Sequence, residues 1–217
     1  MRPLLAIDTS TRRASLALFE GPQRRIDQIG WWSAEAHSVE VAPRVVELLN
    51  SYGLRGTDLV AVAVALGPGS FTGLRAGMSL AKGLSLAVNI PLLGIPTSDA
   101  IASMQDPIEI PLWAILEAGR GRICVASYEH RSGRWTRTSA YRLSTLRALL
   151  GELSGPALLC GEVAEGGPGG GDGTILRPSG PRAAAIAALA WERYSRGEAD
   201  NPITLEPLYL PTPALGA

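Results

Sequence analysis

The sequence predicts an α/β protein built from two halves of similar topology, and three observations support this class. A continuous apolar run at residues 62–66 is followed by a glycine-rich loop and a helical pattern. Continuous apolar strands are typical of sheets that helices cover on both faces. An apolar strand ending in an acid occurs near the start of each half, at Asp8 and at Glu117. Each is followed by a turn, two strands, a helix and a strand, which indicates an internal duplication.

In the first half, the chain is expected to form a meander of three strands, then a helix, a strand, a second helix, a strand and a short third helix. Ser38 can cap the first helix, and Pro43 lies near its first turns, where a missing N–H is least harmful. The expected strands lie at residues 4–7, 14–19, 26–32, 62–66 and 92–95, and the helices at 38–52, 73–88 and after Thr97 or Ser98.

The helix predicted at 73–88 contains three glycines, and Ser70 or Thr72 can cap it. Each glycine disfavours a helix by about 0.8–1 kcal/mol relative to alanine, so these glycines require a tertiary explanation. Gly73 and Gly77 lie on one face, where small residues let another backbone approach closely. Two explanations stay open: the helix packs tightly on its own sheet, or it also contacts another subunit. The preceding loop lacks the GxxxxGK[ST] spacing of a phosphate site.

The second half repeats this order less regularly. The glycine-rich stretch 161–173 lacks a strand-turn-helix context and is interpreted as a flexible surface loop. The proline-rich tail from Pro202 is expected to lie along the surface. Two domains are therefore predicted, at residues 1–104 and 105–217. In the second, strands are expected at 112–116, 123–128, 135–141 and 157–160, and helices at 144–153 and 181–196.

The composition is that of an ordinary globular protein. Twenty Lys and Arg balance twenty Asp and Glu, so direct nucleic-acid binding by the chain alone is disfavoured. The sequence contains neither a signal-peptide pattern nor an apolar run near the ~20 residues of a membrane span, and a cytoplasmic location is expected. Cys124 and Cys160 lie in apolar runs and are interpreted as buried structural thiols rather than a disulfide or a nucleophile.

Three motifs resemble those of one known family. They are IDTS at residues 7–10, His37-Ser38 before the first long helix, and GPGSFTGLR at residues 67–75. Together they are similar to the TsaB (YeaZ) proteins over roughly residues 4–97. The stretch EAGRGRICVA at 117–126 matches the family more loosely.

The resemblance implies the two-lobed, duplicated ASKHA fold of actin, sugar kinases and the Hsp70 ATPase, with a less regular second lobe. It also implies a non-catalytic partner of TsaD in making threonylcarbamoyladenosine, the modified base beside the tRNA anticodon. The implied partners are a TsaD-type subunit and, in a larger complex, a TsaE-type ATPase. The free chain could form a homodimer, tRNA would be met only through the complex, and neither a cofactor nor a membrane is implied. Family members commonly end in Tyr-Leu-Arg, whereas Pro211 follows Tyr209-Leu210 here.

In active members of this fold, the turns after the first strand of each lobe meet phosphate and metal. Asp8, Thr9, Ser10 and Glu117 occupy these positions. They are interpreted as a degenerate nucleotide site, because the Asp8 turn has no glycine to let the backbone approach a phosphate. Glu117 also has a second explanation as a turn-forming acid.

The resemblance also bears on metal binding, because TsaD carries a His-x-x-x-His metal motif on a helix, with the geometry of HExxH. In this chain His37 is followed four residues later by Val41, and His130 lies in a predicted hairpin turn. A single imidazole cannot form this site. No metal is therefore expected, and His37 is interpreted as a surface or capping residue.

The leading functional hypothesis is an interaction protein that pairs with a TsaD-type subunit through its two long helices. Competing hypotheses are a small-molecule kinase or ATPase of the same fold and a peptidase, although no Ser-His-Asp, Cys-His or HExxH spacing supports a peptidase. The predicted interface residues are Val45, Val46, Leu49, Gly73, Ala76, Gly77, Leu80, Ala81 and Leu84.

Overall fold

The computed structural model describes residues 2–21, 25–33, 37–162 and 173–210. These residues form two β-sheets and five α-helices. The strands are β1 (Leu4–Asp8), β2 (Arg13–Phe19), β3 (Arg25–Trp32), β4 (Ala61–Gly67), β5 (Leu92–Pro96), β6 (Leu112–Glu117), β7 (Ile123–Arg131), β8 (Arg134–Arg137), β9 (Arg142–Ser144), β10 (Leu158–Gly161) and β11 (Ile175–Pro178). The helices are α1 (His37–Ser51), α2 (Phe71–Val88), α3 (Thr97–Ser103), α4 (Leu146–Glu152) and α5 (Ala183–Ser195).

The first sheet has the strand order β3-β2-β1-β4-β5, in which β1 pairs antiparallel with β2 and parallel with β4. All residues of β1 and nearly all of β4 are buried, because helices cover both faces of the sheet. Helices α1 and α2 lie over one face and α5 over the other. The apolar run at 62–66 therefore forms a strand covered on both sides, as its composition predicts.

The second sheet has the order β11-β10-β6-β7-β8, with β9 pairing beside β7. Read in the opposite direction, the order β8-β7-β6-β10-β11 corresponds to β3-β2-β1-β4-β5 of the first sheet. In both sheets the central strand pairs antiparallel on one side and parallel on the other. The predicted duplication is thus confirmed, and the chain has the two-lobed ASKHA fold. The glycine-rich stretch between β10 and β11 lies mostly outside the described residues, so its interpretation stays a prediction.

The last helix of each half contacts the sheet of the other half, and the domain boundary at residue 104 stays a prediction. Ile101 and Ala102 of α3 belong to the apolar cluster on the second sheet, whereas Ile186 and Ala187 of α5 belong to the cluster on the first. Helix α3 therefore lies between the two sheets, since its Ala100 belongs to the cluster on the first sheet, whereas α5 covers the sheet of the other half. Sequence periodicity identifies an apolar helix face without indicating which sheet will cover it.

Two local differences from the expected elements have simple causes. The strand expected at 135–141 is shorter, because β8 ends at Arg137, and a further strand, β9, lies beyond the expected range at Arg142–Ser144. Helix α4 begins only after Thr145, whose side chain accepts a hydrogen bond from the Ala148 N–H at 3.1 Å. Helix α2 begins two residues earlier than expected because Ser70 caps it, accepting from the Gly73 N–H at 3.3 Å. No helix in the described part of the chain has the length and apolarity needed to cross a membrane.

The glycine face of α2 packs on the first sheet of its own chain. A Cβ atom on Gly73 would lie 2.1 Å from the carbonyl oxygen of Thr9, and one on Gly77 would lie 2.3 Å from Thr9 Oγ1. Both distances are too short for a side chain. Gly73 and Gly77 are therefore buried inside the monomer and unavailable to a second subunit, which corrects this part of the expected interface.

We expect Gly77→Ala to lower the free energy of unfolding of the monomer by about 1–3 kcal/mol, because the added methyl overpacks the contact with Thr9. Gly83→Ala is the matched control on the same helix, since nothing lies within 4 Å of its added Cβ. This control should raise stability by about 0.4–1 kcal/mol. Urea unfolding measures both, and equal stability of the two variants would contradict the close packing.

Candidate functional site

Two of the three family-like motifs of the first half, IDTS and GPGSFTGLR, contact each other directly. Thr9 Oγ1 donates a hydrogen bond to the Gly73 carbonyl at 2.7 Å, and the Ser70 N–H donates to the Ser10 carbonyl at 2.6 Å. This close approach requires a glycine at position 69, because a Cβ atom there would lie 2.2 Å from the Ser10 carbonyl oxygen. The IDTS turn and the GPGSFTGLR segment therefore form one rigid unit at the carboxyl ends of β1 and β4.

A buried ion pair holds this unit from the other side. Asp8 Oδ2 accepts from Arg182 Nε at 2.7 Å, and the two side chains are 0% and 1% exposed. Asp8 Oδ1 accepts from the N–H and the hydroxyl of Ser10, at 2.9 and 2.5 Å. Both carboxylate oxygens are thus used inside the protein. In this arrangement Asp8 acts as a structural anion.

The Arg182 guanidinium has further acceptors around the same turn. Its Nη2 donates to Thr11 Oγ1 at 2.6 Å and to the Arg13 carbonyl at 3.4 Å, while Nη1 donates to Ser179 Oγ at 3.4 Å. Burying a charge is costly unless it is paired and hydrogen-bonded. These contacts meet that requirement, and they fix the β1–β2 turn to the segment between β11 and α5.

Side chains from the first sheet cap the start of α5. Ser15 Oγ accepts from the N–H groups of Arg182 and Ala183, at 3.2 and 3.0 Å, and Gln28 Oε1 accepts from Ala184 at 2.7 Å. The helix start has no cap of its own. A cation at a helix N-terminus opposes the helix dipole, so Arg182 needs an anion close to it. Its position before α5 was therefore the sequence signal that could have indicated a nearby acid.

A cleft of about 640 Å³ lies between the lobes beside this unit. Among the predicted nucleotide-site residues, Ser10 and Glu117 line it, whereas Asp8 and Thr9 lie behind its wall. Sequence reasoning missed five charged residues that also line it: Arg12, Arg13, Arg122, Glu162 and Arg182. Whether these residues once formed a nucleotide site stays a hypothesis.

Glu117 is exposed, and its backbone joins it to a second acid. The Glu117 N–H donates to Glu162 Oε2 at 2.7 Å. Burial raises the pKa of Glu162 above its ordinary value, while the bond from Glu117 and the charge of Arg182 oppose this shift. Glu162 follows β10 directly, so an acid at a strand end was the signal that could have identified it.

Both cysteines are buried free thiols, as predicted. Burial raises the pKa of Cys124 and of Cys160 to about 12, so both are neutral at physiological pH. A neutral, buried thiol is a poor nucleophile.

The described residues contain no group of three or more His, Cys, Asp or Glu side chains that could hold a metal ion. The side chain of His37 lies outside the described part, so its interpretation stays a prediction. His130 lies within β7 rather than in the turn, and its ring packs edge-on against Trp135 with 5.4 Å between centroids.

The tail reaches the same site as the glycine motif. The Leu208 N–H donates to the Leu66 carbonyl at 2.7 Å, and Tyr209 accepts from Arg75 Nε at 3.0 Å. The Arg75 guanidinium also lies 3.7 Å from the centroid of the Phe71 ring. The described tail is therefore docked at the cleft mouth by backbone and side-chain contacts. Residues 211–217 of the predicted surface tail lie outside the described part.

These features define a two-lobed protein of the ASKHA class whose first-strand aspartate is neutralised internally. A family model described as "TsaD: tRNA N6-adenosine threonylcarbamoyltransferase" matches residues 32–163, which is more than half of the chain. The chain belongs to this family of TsaD-like domains, and within it to the TsaB (YeaZ) proteins, which its named relatives represent.

Two of these relatives are each named tRNA threonylcarbamoyladenosine biosynthesis protein TsaB. The one from Escherichia coli K12 is 27% identical, over 95% of this chain and 94% of its own length. The one from Bacillus subtilis 168 is 32% identical, but the match covers 60% of this chain and only 56% of the relative. An uncharacterized protein of Mycobacterium tuberculosis H37Rv is 31% identical over 97% of this chain and 92% of its own.

Among solved structures, YeaZ from Pseudomonas aeruginosa superposes with a TM-score of 0.77 at 21% identity. The match covers 95% of this chain and 100% of that one. At this level of identity the likeness establishes the fold.

We expect Arg182→Met to lower the free energy of unfolding by about 3–5 kcal/mol, because it leaves the Asp8 carboxylate buried without its partner. The double variant Asp8→Asn/Arg182→Met should recover part of this loss, since it removes the stranded charge. Arg196→Met is the control: it breaks an exposed ion pair with Glu198 and should leave the unfolding midpoint near that of the wild type. An Arg182→Met protein as stable as this control would contradict the structural role of the pair.

The raised pKa of Glu162 predicts a pH dependence. In the window just above the ordinary glutamate pKa, the folded state holds its proton more tightly than the unfolded state, so stability falls as pH rises. Glu162→Gln should remove this fall. The stability of the variant relative to the wild type should therefore be greater at pH 7 than at pH 4. Thermal unfolding across pH measures the difference, and Glu47→Gln, at an exposed site on α1, controls for general charge effects. Parallel pH profiles for wild type and Glu162→Gln would contradict the shift.

Proposed function

We propose that this chain is a non-catalytic subunit in tRNA threonylcarbamoyladenosine biosynthesis and that it pairs with a TsaD-type subunit. The observation that carries the proposal is the buried Asp8–Arg182 pair. By the family resemblance, this aspartate stands where active members of the fold meet metal and phosphate. Here its oxygens accept three hydrogen bonds within the chain, so a metal or a substrate proton could reach them only if the pair were broken.

The relatives support the pathway. Those from Escherichia coli and Bacillus subtilis carry the name of threonylcarbamoyladenosine biosynthesis, and the matching family model is described as the transferase TsaD. Because the chain resembles a transferase in fold while its central acid is occupied, a supporting role beside a transferase fits better than transfer itself.

The outer face of α1 and α2 is the surface we assign to the partner. Val45, Leu49 and Ala81 of the expected interface are buried in the chain's own core, as the two glycines are. The remaining residues are accessible: Val46 is 57% exposed, and Ala76, Leu80 and Leu84 are half-buried on one row of α2 at four-residue spacing. Val39, 68% exposed, extends the face by two turns of α1. Two helices presenting small and apolar side chains suit a helical partner.

The other proposed partners follow from this surface and from the charge. One face can serve either a homodimer or a TsaD-type subunit of related fold, so the two assemblies should compete. With 20 positive and 20 negative residues, the chain offers no electrostatic excess for tRNA, which it would meet only within the complex. A TsaE-type ATPase remains a proposed member of that complex, and a cytoplasmic location is proposed with it.

A kinase or ATPase of the same fold is the competing function. It requires an aspartate that can meet a metal-bound nucleotide, and the Asp8 pair stands against it. Calorimetric titration of the isolated chain with ATP, with and without magnesium, discriminates the two, because a kinase should bind the magnesium complex at millimolar or better and lose this binding without the metal. The neutral, buried thiols stand against a cysteine peptidase.

Reconstitution with the TsaD-type subunit of the same organism, threonylcarbamoyl-adenylate and tRNA tests the proposal. We expect no transfer by this chain alone and transfer when both subunits are present. Val46→Glu should weaken binding of the partner at least about 10-fold, because it places an unpaired charge in a desolvated contact, and should reduce transfer accordingly. Ile203→Glu, at a residue that is 79% exposed in the tail, is the matched control and should change neither.

Several outcomes would defeat the proposal. Transfer by this chain alone would make it an enzyme, and full transfer by the partner without it would remove its role. If Val46→Glu bound the partner as the wild type does, the interface would lie elsewhere. Melting curves for both variants should match the wild type, since both positions are exposed.

A further inference from the structure

The cleft between the lobes has the size and lining of a small-molecule site. Its volume of about 640 Å³ lies within the range of about 300–1,000 Å³ typical of ligand pockets. Both halves line it, with the turn after β1 on one side and the turn after β6 on the other. The proposed partner face is formed by α1 and α2, whose exposed residues named above do not line the cleft.

Arg122 is the distinctive group in this lining. Its Nε is buried and has no hydrogen-bond partner among the residues that the structure describes. The backbone around it is fixed, because the Ala118 N–H donates to the Arg122 carbonyl at 2.9 Å and the Arg122 N–H donates to the Gly119 carbonyl at 3.1 Å. A buried guanidinium N–H left without an acceptor costs free energy that an oxyanion ligand would recover.

The charges facing the cleft favour an anion. Arg12 and Arg13 line the opposite side, whereas the charge of Arg182 is neutralised by Asp8. The acids are Glu117, which is exposed, and Glu162, whose pKa burial raises. Three arginines that are not paired to Asp8 (Arg12, Arg13 and Arg122) therefore face two carboxylates, Glu117 and Glu162. The net charge of the cleft lining is positive.

The rest of the lining suits an apolar or planar group. Cys124, whose thiol stays neutral, and Leu143 form an apolar patch beside Arg122, since they pair across β7 and β9. At the mouth stand the rings of Phe71 and Tyr209, 5.3 Å apart, and that of Trp32, which is 62% exposed.

We propose that the inter-lobe cleft binds a small organic oxyanion, a carboxylate or a phosphate ester with an apolar or planar portion, and that Arg122 binds the anionic group. Binding requires no divalent metal, because the acid that would hold one is occupied by Arg182 and Ser10. The inference concerns the isolated chain and does not depend on the proposed partner.

The test is calorimetric titration of the isolated full chain with inorganic phosphate, phenyl phosphate and phenylacetate, each with and without magnesium. We expect phenyl phosphate, phenylacetate or both to bind more tightly than inorganic phosphate, since the apolar lining adds to the anion contact. Arg122→Gln should weaken this binding about 10-fold or more, as expected for a lost charged hydrogen bond, and Arg122→Lys should weaken it less.

Arg120→Gln is the matched control, since Arg120 lies in the same turn but is exposed and outside the cleft lining. It should change affinity less than about twofold, because an exposed charge is screened. Binding of phenyl phosphate alone would assign a phosphate ester, and binding of phenylacetate alone a carboxylate. The proposal is overturned if no probe binds at about 10 mM, which corresponds to a negligible affinity. It is also overturned if Arg120→Gln and Arg122→Gln weaken binding equally, or if binding requires magnesium.

Discussion

The ion pair between Asp8 and Arg182 is the constraint on which the rest of the site depends. It joins the end of the central strand β1 to the start of α5, so the turn, the helix and the wall of the cleft are positioned together. Two fully buried charges are tolerated because hydrogen bonds to Ser10, Thr11 and the backbone surround them. In a fold whose active members use the first-strand acid for chemistry, this chain uses it to hold two segments together.

The glycines of the loop and of α2 serve the same unit. A helix with three glycines is intrinsically weak, but two of them let α2 lie directly on the Thr9 turn, where Thr9 bonds the helix backbone. The loss in helix propensity is offset by close packing and a buried hydrogen bond. The third, Gly83, meets no neighbour within 4 Å, so the structure supplies no packing reason for it.

The two faces of the first lobe have separate potential uses. The outer face of α1 and α2 presents accessible apolar residues to a partner, and the inter-lobe cleft presents arginines and rings to a small ligand. The described tail packs through Leu205 against the core beneath the two helices, and its Tyr209 lines the cleft.

The sequence by itself determined the fold class, the duplication, the buried thiols and most strands and helices, because periodicity and turn residues record local preferences along the chain. It also identified Asp8 and the glycine loop as unusual. Only the tertiary structure decided that Arg182, 174 positions from Asp8, occupies this acid. It likewise decided that Gly73 and Gly77 face inward and that α5 covers the first sheet rather than the second. An apolar face or a buried charge needs a partner, but local sequence does not encode which distant segment supplies it, and long-range packing makes that choice.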